Sequence, residues 1–243
     1  MKNQYVADIN DYRKYGLLRT LACFGEIRTC ICWMLTPDDN RTDGKFTDYL
    51  KSSAKWKHYD PSLFDCLEEY LNKEKKREIR FIETSGILPN AIFHSDTLTD
   101  GPRERFHYFI GLHKLLNEVD LIFFDPDNGL EIKSRLYGCK NSSKYLYWNE
   151  VKDVYEAGKS VLVYQHFRRE TREQFMERLA LEFCDRLSVS EVISFRTPHV
   201  VFFLASQPEH FTYFRQRSAA VSDKWGQQIT VKVHETAQQR RRR

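Results

Sequence analysis

The strongest constraint on the fold is the run Val119-Asp120-Leu121-Ile122-Phe123-Phe124-Asp125-Pro126-Asp127-Asn128-Gly129-Leu130-Glu131. Four apolar residues end abruptly in a carboxylate, a proline, a second carboxylate, an amide and a glycine. A strand buried on both faces reads as a short continuous apolar run. The polar residues that follow then fall at the carboxyl edge of a parallel sheet, where ligands bind in open α/β folds. Asp-Pro-Asp-Asn-Gly is also good turn chemistry by itself. A solvent turn, however, has no need for Asp125, Asp127 and Glu131 together, because close carboxylates repel unless a cation, a proton or a substrate donor lies among them.

Around this run the sequence alternates between the two periodicities. The pattern predicts a helix within residues 5–24, a strand over 27–35, a helix over 61–72, and strands at 79–82 and 91–93. A helix over 103–118 precedes the Asp125 strand. A helix at 148–157, a strand at 160–164 and a helix at 171–183 follow, with two antiparallel strands at 189–195 and 199–204. Such alternation implies a Rossmann-like three-layer α/β sandwich with a mostly parallel sheet and right-handed crossovers. One domain is expected over residues 1–235, with a disordered basic tail at 236–243.

The 243 residues include 17 Phe, 13 Tyr and 4 Trp, enough for a substantial core. No apolar run reaches the roughly 18 residues of a membrane span, so no membrane partner is expected. The six cysteines lack paired spacing, which suits a reduced, cytoplasmic protein and offers no zinc motif. A net charge of +4 neither demands nor excludes nucleic acid, and nothing in the sequence sets the oligomeric state.

Polar groups recur at the predicted strand ends: Thr36 to Asp39, Glu83, Asp96, Asp125 to Asn128, and Gln165 with His166. In a parallel sheet these ends share one edge, so one pocket is expected there. A second cluster, Asp8-Ile9-Asn10-Asp11-Tyr12-Arg13-Lys14-Tyr15, precedes the first helix, where Asp11 can serve as the cap. A third, Ser142 to Trp148, sets Lys144 among aromatic residues, a combination suited to base stacking and phosphate contact. Arg168 and Arg169 would make the same edge electropositive.

The pattern Asp8-x-x-Asp11-x-x-Lys14-Tyr15-x-x-Leu18 resembles the Asn-x-x-Asp-x-x-Lys-His-x-x-Leu segment of bacterial 23S ribosomal RNA adenine methyltransferases, and Asp125-Pro126-Asp127-Asn128 is similar to their Asp-Pro-Pro-Tyr at a strand end. About 15 residues carry the motifs, within a similar arrangement over roughly 160 residues. The resemblance implies the class I S-adenosylmethionine-dependent fold, a nucleic-acid substrate, a catalytic set of Asp125, Asp127, Asn128 and His166, and cofactor contacts from Asp8, Asp11, Lys14, Glu83 and Asp96. Asp127 and Asn128 stand where that family has proline and a stacking tyrosine, which leaves Tyr164 or Trp148 to supply the ring. Thr36-Pro37-Asp38-Asp39 stands where it has a glycine-rich loop. The segments Lys-Tyr-Gly-Leu-Leu-Arg and Asp-Pro-Asp-Asn-Gly-Leu-Glu are also similar to those of a bacterial and phage protein group.

Two further readings follow from the residues. Asp125 and Asp127, with Glu131 or Asp96, offer hard oxygen ligands for Mg²⁺ or Mn²⁺ in a phosphoesterase or nuclease, and Glu131-Ile132-Lys133 has the Glu-x-Lys form of many nucleases. A non-catalytic nucleotide-binding domain is the third.

Overall fold

A computed structural model describes residues 1–38, 44, 46–74 and 76–236. The expected tail at 236–243 therefore lies outside the described residues except for Thr236, as does most of the polar loop at 39–45. The strands are β1 (Thr29–Cys32), β2 (Ala91–His94), β3 (Leu121–Phe124), β4 (Gly129–Leu130), β5 (Tyr145–Leu146), β6 (Ser160–His166), β7 (Glu191–Arg196), β8 (Val200–Ala205) and β9 (Thr230–Glu235). Seven of them form one sheet in the order β2-β1-β3-β6-β8-β7-β9. The β2, β1, β3 and β6 pairings are parallel, and those from β6 through β9 are antiparallel. β4 and β5 form a separate two-residue parallel pair.

The helices are α1 (Ile9–Ala22), α2 (Ser53–Trp56), α3 (Pro61–Lys73), α4 (Ile79–Thr84), α5 (Pro102–His113), α6 (Trp148–Glu156), α7 (Arg172–Leu187) and α8 (Phe211–Trp225). Side chains alternate across a strand, and both faces of this sheet are covered. Ile31, Phe123, Leu162 and Phe195 pack with α1, α3 and α8 on one face. Cys32, Ile122, Phe124 and Val163 pack with α5, α6 and α7 on the other. The result is the Rossmann-like three-layer arrangement with antiparallel C-terminal strands.

Three elements differ from the sequence expectation. Residues 79–82 are helical. Ile79 and Ile82 are buried three residues apart while Arg80 is exposed, a helical spacing that a short β-branched run conceals. Glu83 therefore sits on α4 and closes no strand. The first helix starts at Ile9 and is capped by Asp8, whose carboxylate accepts from the Asn10 amide at 2.7 Å; Asp11 is not the cap. Beyond residue 204 the chain adds α8 and β9, which the periodicity did not reveal.

α8 is seated on α1 by Trp225, with Tyr213 and Arg217 donating to the Leu21 and Thr20 carbonyls. A Cβ added at Gly16 would fall within the Trp225 ring system, and Trp225 also meets Tyr12 and Tyr59 with centroids 5.2 Å away. Helix propensity alone favours Gly16→Ala by about 1 kcal/mol, whereas overpacking costs roughly 1–3 kcal/mol. Gly16→Ala should lower the urea midpoint of unfolding; a higher midpoint would show that the α1–α8 contact yields freely.

Candidate active site

The edge of the sheet where β1, β2, β3 and β6 end is also where the antiparallel β8 begins, so the turn before β8 delivers His199 to the same side. Here a cavity of about 400 Å³ is lined by Asp8, Asn10, Asp11 and Lys14 from α1, by Asp125 to Asn128 after β3, and by Tyr164 and His166 of β6. Met1, Lys2, Tyr5, Gly44, Phe46, Lys144 and His199 complete the wall. That volume lies in the range of small-molecule sites.

Its centre is an ion triad. Lys14 Nζ lies 2.7 Å from Asp11 Oδ1 and 2.7 Å from Asp125 Oδ2, with all three side chains at most 5% exposed. The Tyr15 hydroxyl donates to Asp11 Oδ2 at 2.9 Å, and the Lys14 ammonium lies within 6.0 Å of the Tyr15, Trp33 and Tyr164 ring centres. Burial opposes the lysine charge, but the two carboxylates outweigh it and hold Lys14 above the ordinary lysine range. Burial pushes the Asp11 carboxyl up to about 6 despite the adjacent ammonium. Asp8 is raised too, again by burial, although it accepts from the amides of Asn10 and Phe46.

β3 positions the second acidic group. The Asp125 amide donates to the Cys32 carbonyl at 3.0 Å, extending the β1–β3 pairing by one residue. Asp127 accepts from the Thr36 hydroxyl at 2.8 Å and lies 2.8 Å from the Met1 amino group. Burial opposes the Asp127 charge, yet the amino group, Thr36 and Lys2 together keep its carboxyl below the usual range. The chain then turns at Gly129, whose φ of +97° favours glycine and where a Cβ would overlap the Gln165 amide. Gln165 Oε1 accepts from the Leu130 amide at 2.7 Å, and the Asn128 amide donates to the Lys144 carbonyl at 2.9 Å. His166 has an open ring edge, with its Nε2 3.3 Å from the Tyr164 hydroxyl. The protein packed around the rest of its ring lowers its pKa, against the opposing pull of Asp127 and Asp125.

Of the residues expected at the site, Asp8, Asp11, Lys14, Asp125, Asp127, Asn128 and His166 line this one cavity, and Glu83 and Asp96 do not. Glu83 accepts from Trp33 Nε1 at 3.1 Å and from the Ser95 hydroxyl. Asp96 is exposed past the end of β2, on the same sheet edge but two strands from β3. Trp148 is a core residue, 6% exposed, so it is no surface for a base. Arg168 is committed to the Leu130 and Glu131 carbonyls at 3.0 and 2.9 Å and braces β4. Phe46 and His199 are cavity residues that the sequence reading missed. Only the fold brings the loop at Phe46 and the turn at His199 to this edge.

S-adenosylmethionine can be tested against these groups. Asn10 has a buried side-chain oxygen with no hydrogen-bond partner among the described residues, and Asp8 and Asp11 stand beside it on α1. Together with Lys14 and Lys2, this donor set fits an ammonium and a carboxylate, the amino-acid end of that cofactor. At the end of β1, Met34 takes φ +46°, in the left-handed region that favours glycine. The Met34 amide donates to the Tyr108 hydroxyl, and the Leu35 carbonyl accepts from the Leu98 amide. Contacts to a nucleoside there would come from side chains such as Asp96, because the backbone is already paired.

Removing the triad's cation leaves two carboxylates buried without compensation, a loss of about 3–5 kcal/mol. Asp11 titrates in the fold above its unfolded value, so the folded state holds this proton more tightly. Its contribution to stability is full below about pH 4 and is lost as pH rises through about 6. Lys14→Met removes the ammonium that opposes burial at Asp11 and so raises that carboxyl further. Its stability deficit in urea unfolding should therefore be large at pH 7.5 and narrow at pH 5. An equal deficit at both values would mean that the methylene stem, and not the charge, carries the effect.

No protein-family model matches this sequence, and no curated protein matches it. Among solved structures, the chain is similar to the crystal structure of protein LPL1258 from Legionella pneumophila str. Philadelphia 1, described by the family model DUF519. The two are 11% identical, with 96% of this chain and 97% of that chain covered and a TM-score of 0.46.

Proposed function

We propose that this chain is a methyltransferase-like enzyme that acts on nucleic acid, with S-adenosylmethionine as the methyl donor. One observation carries the reading: Lys14 meets Asp125 at 2.7 Å across 111 residues of sequence. The two segments that resemble the ribosomal RNA adenine methyltransferases thus meet in the lining of one cavity. When bound, the cofactor supplies an electrophilic methyl group.

The chain's own residues do the rest. Lys14 fixes the Asp125 carboxylate so that it accepts an N–H from the target amine and aligns the amine lone pair; alignment supplies most of such a rate gain. Asn128 offers a second polar group beside it. His166, whose pKa is lowered, is neutral near pH 7 and can take the proton that the amine sheds. Asp8, Asn10 and Asp11 receive the cofactor's ammonium.

The hard-cation alternative is less well supplied. Among the described residues no group of three or more His, Cys, Asp or Glu is placed to hold a metal ion, and the Lys14 ammonium stands between Asp11 and Asp125.

The test combines ligand-induced stabilisation with turnover. Saturation at about 100 times the dissociation constant adds roughly 2.7 kcal/mol of stability, so S-adenosylmethionine and S-adenosylhomocysteine should raise Tm and Mn²⁺ should not. Transfer of labelled methyl to RNA or DNA should survive chelator and fall about 100-fold or more in Asp125→Asn, while Asp127→Asn retains most of it. No shift with either cofactor form, or full turnover by Asp125→Asn, would refute the proposal. Chelator-sensitive activity restored by Mn²⁺ would favour the metal reading.

A further inference from the structure

Phe46 is 67% exposed at the rim of the cavity. Its ring stands in water, yet its backbone is fixed twice. The Phe46 amide donates to Asp8 Oδ2 at 3.2 Å, and its carbonyl accepts from the Ile9 amide at 3.0 Å. Asp8 is the cap of α1, and α1 carries Lys14 to Asp125. The exposed ring is therefore registered to the same helix as the ion triad.

The two rings that the sequence offered for stacking, Tyr164 and Trp148, are occupied. Tyr164 lies 6.0 Å under the Lys14 ammonium and packs edge-on against His166 and Phe202, with centroids 5.2 and 5.4 Å away. Trp148 packs against Phe183 at 4.7 Å on the far side of the sheet. Asn128 stands where a stacking ring was expected. Phe46 takes part in none of the ring–ring pairs found among the described residues.

We propose that Phe46 is the stacking face of the site, and that a planar heterocyclic base rests on it with its amine turned toward Asp125. This rests on the methyltransferase-like reading for the amine and on Phe46 itself for the ring. Stacking is sequence-tolerant because every base has a π-face, so purine and pyrimidine rings should both bind, and Asp125 would select those that carry an amino group. The ring could come from a free nucleotide or from an unpaired base in a strand. The chemistry recognised is the same.

The experiment measures equilibrium binding of adenosine monophosphate, cytidine monophosphate and a short single-stranded oligonucleotide to wild type, Phe46→Ala, Phe46→Leu and Phe46→Trp, each checked for an unchanged Tm. Phe46→Ala should weaken binding by about 5- to 150-fold, the range for loss of one base stack. Phe46→Trp should bind as well as wild type or better. Phe46→Leu, which keeps the bulk but not the ring, should behave like Phe46→Ala. The salt dependence of oligonucleotide binding should stay the same in all four, since stacking neutralises no phosphate. Tight oligonucleotide binding with weak mononucleotide binding would identify a strand as the source of the ring; the converse would identify a free nucleotide. Equal binding by wild type and Phe46→Ala would overturn the inference and leave the methyltransferase-like reading standing. Wild type that binds none of the probes would overturn both. A normal Phe46 effect without any response to S-adenosylmethionine would keep the stacking face and remove the donor.

Discussion

One lysine holds the cavity edge of this protein together. Lys14 is enclosed by two carboxylates and three aromatic rings, and each group in that set makes sense only in the presence of the others. Asp11 and Asp125 would repel across the cavity without the ammonium. The ammonium could not remain charged in so dry a place without the acids. The helix that carries Lys14 is in turn fixed by its cap, and the cap also anchors the chain at Phe46. Geometry at the site is therefore transmitted through α1 rather than through a glycine-rich loop.

The sheet's central strands were legible because burial on both faces leaves an unbroken apolar signature, and residues 121–124 carry it plainly. The amphipathic α3 was equally plain, with Leu63, Phe64 and Leu67 on its buried side. Residues 79–82 were not, because four residues with two isoleucines fit either period. β9 escaped for a different reason. It is an edge strand, Thr-Val-Lys-Val-His-Glu, with mixed burial, and edge strands carry charge that erases the apolar pattern. α8 hides its purpose in Trp225, whose seat is made by the absence of a side chain at Gly16.

At the site, the strand-end rule located Asp125, Asp127, Asn128 and His166 on one edge. It failed for Glu83 once α4 proved helical. Proximity of Asp8, Asp11 and Lys14 to Asp125 came from the family resemblance, since no local pattern foretells a contact over 111 residues. Phe46 and His199 had no signal of their own: one follows a polar loop, the other sits in a hairpin turn, and only the assembled sheet places them together.

The β4–β5 pair gives the segment between them an unusual independence. Its two ends are pinned side by side: the Asn128 amide on the Lys144 carbonyl, the Glu131 amide on the Leu146 carbonyl, and Arg105 gripping Glu150 and the Ser142 and Tyr145 carbonyls from beneath. Closing a longer loop between fixed ends adds only about 0.6 kcal/mol per doubling of length. The tip at Leu136, which is exposed, can thus lengthen, shorten or change sequence over evolutionary time without disturbing Asn128 at its base. It is the place at which descendants of this chain could vary their surface while inheriting the same cavity.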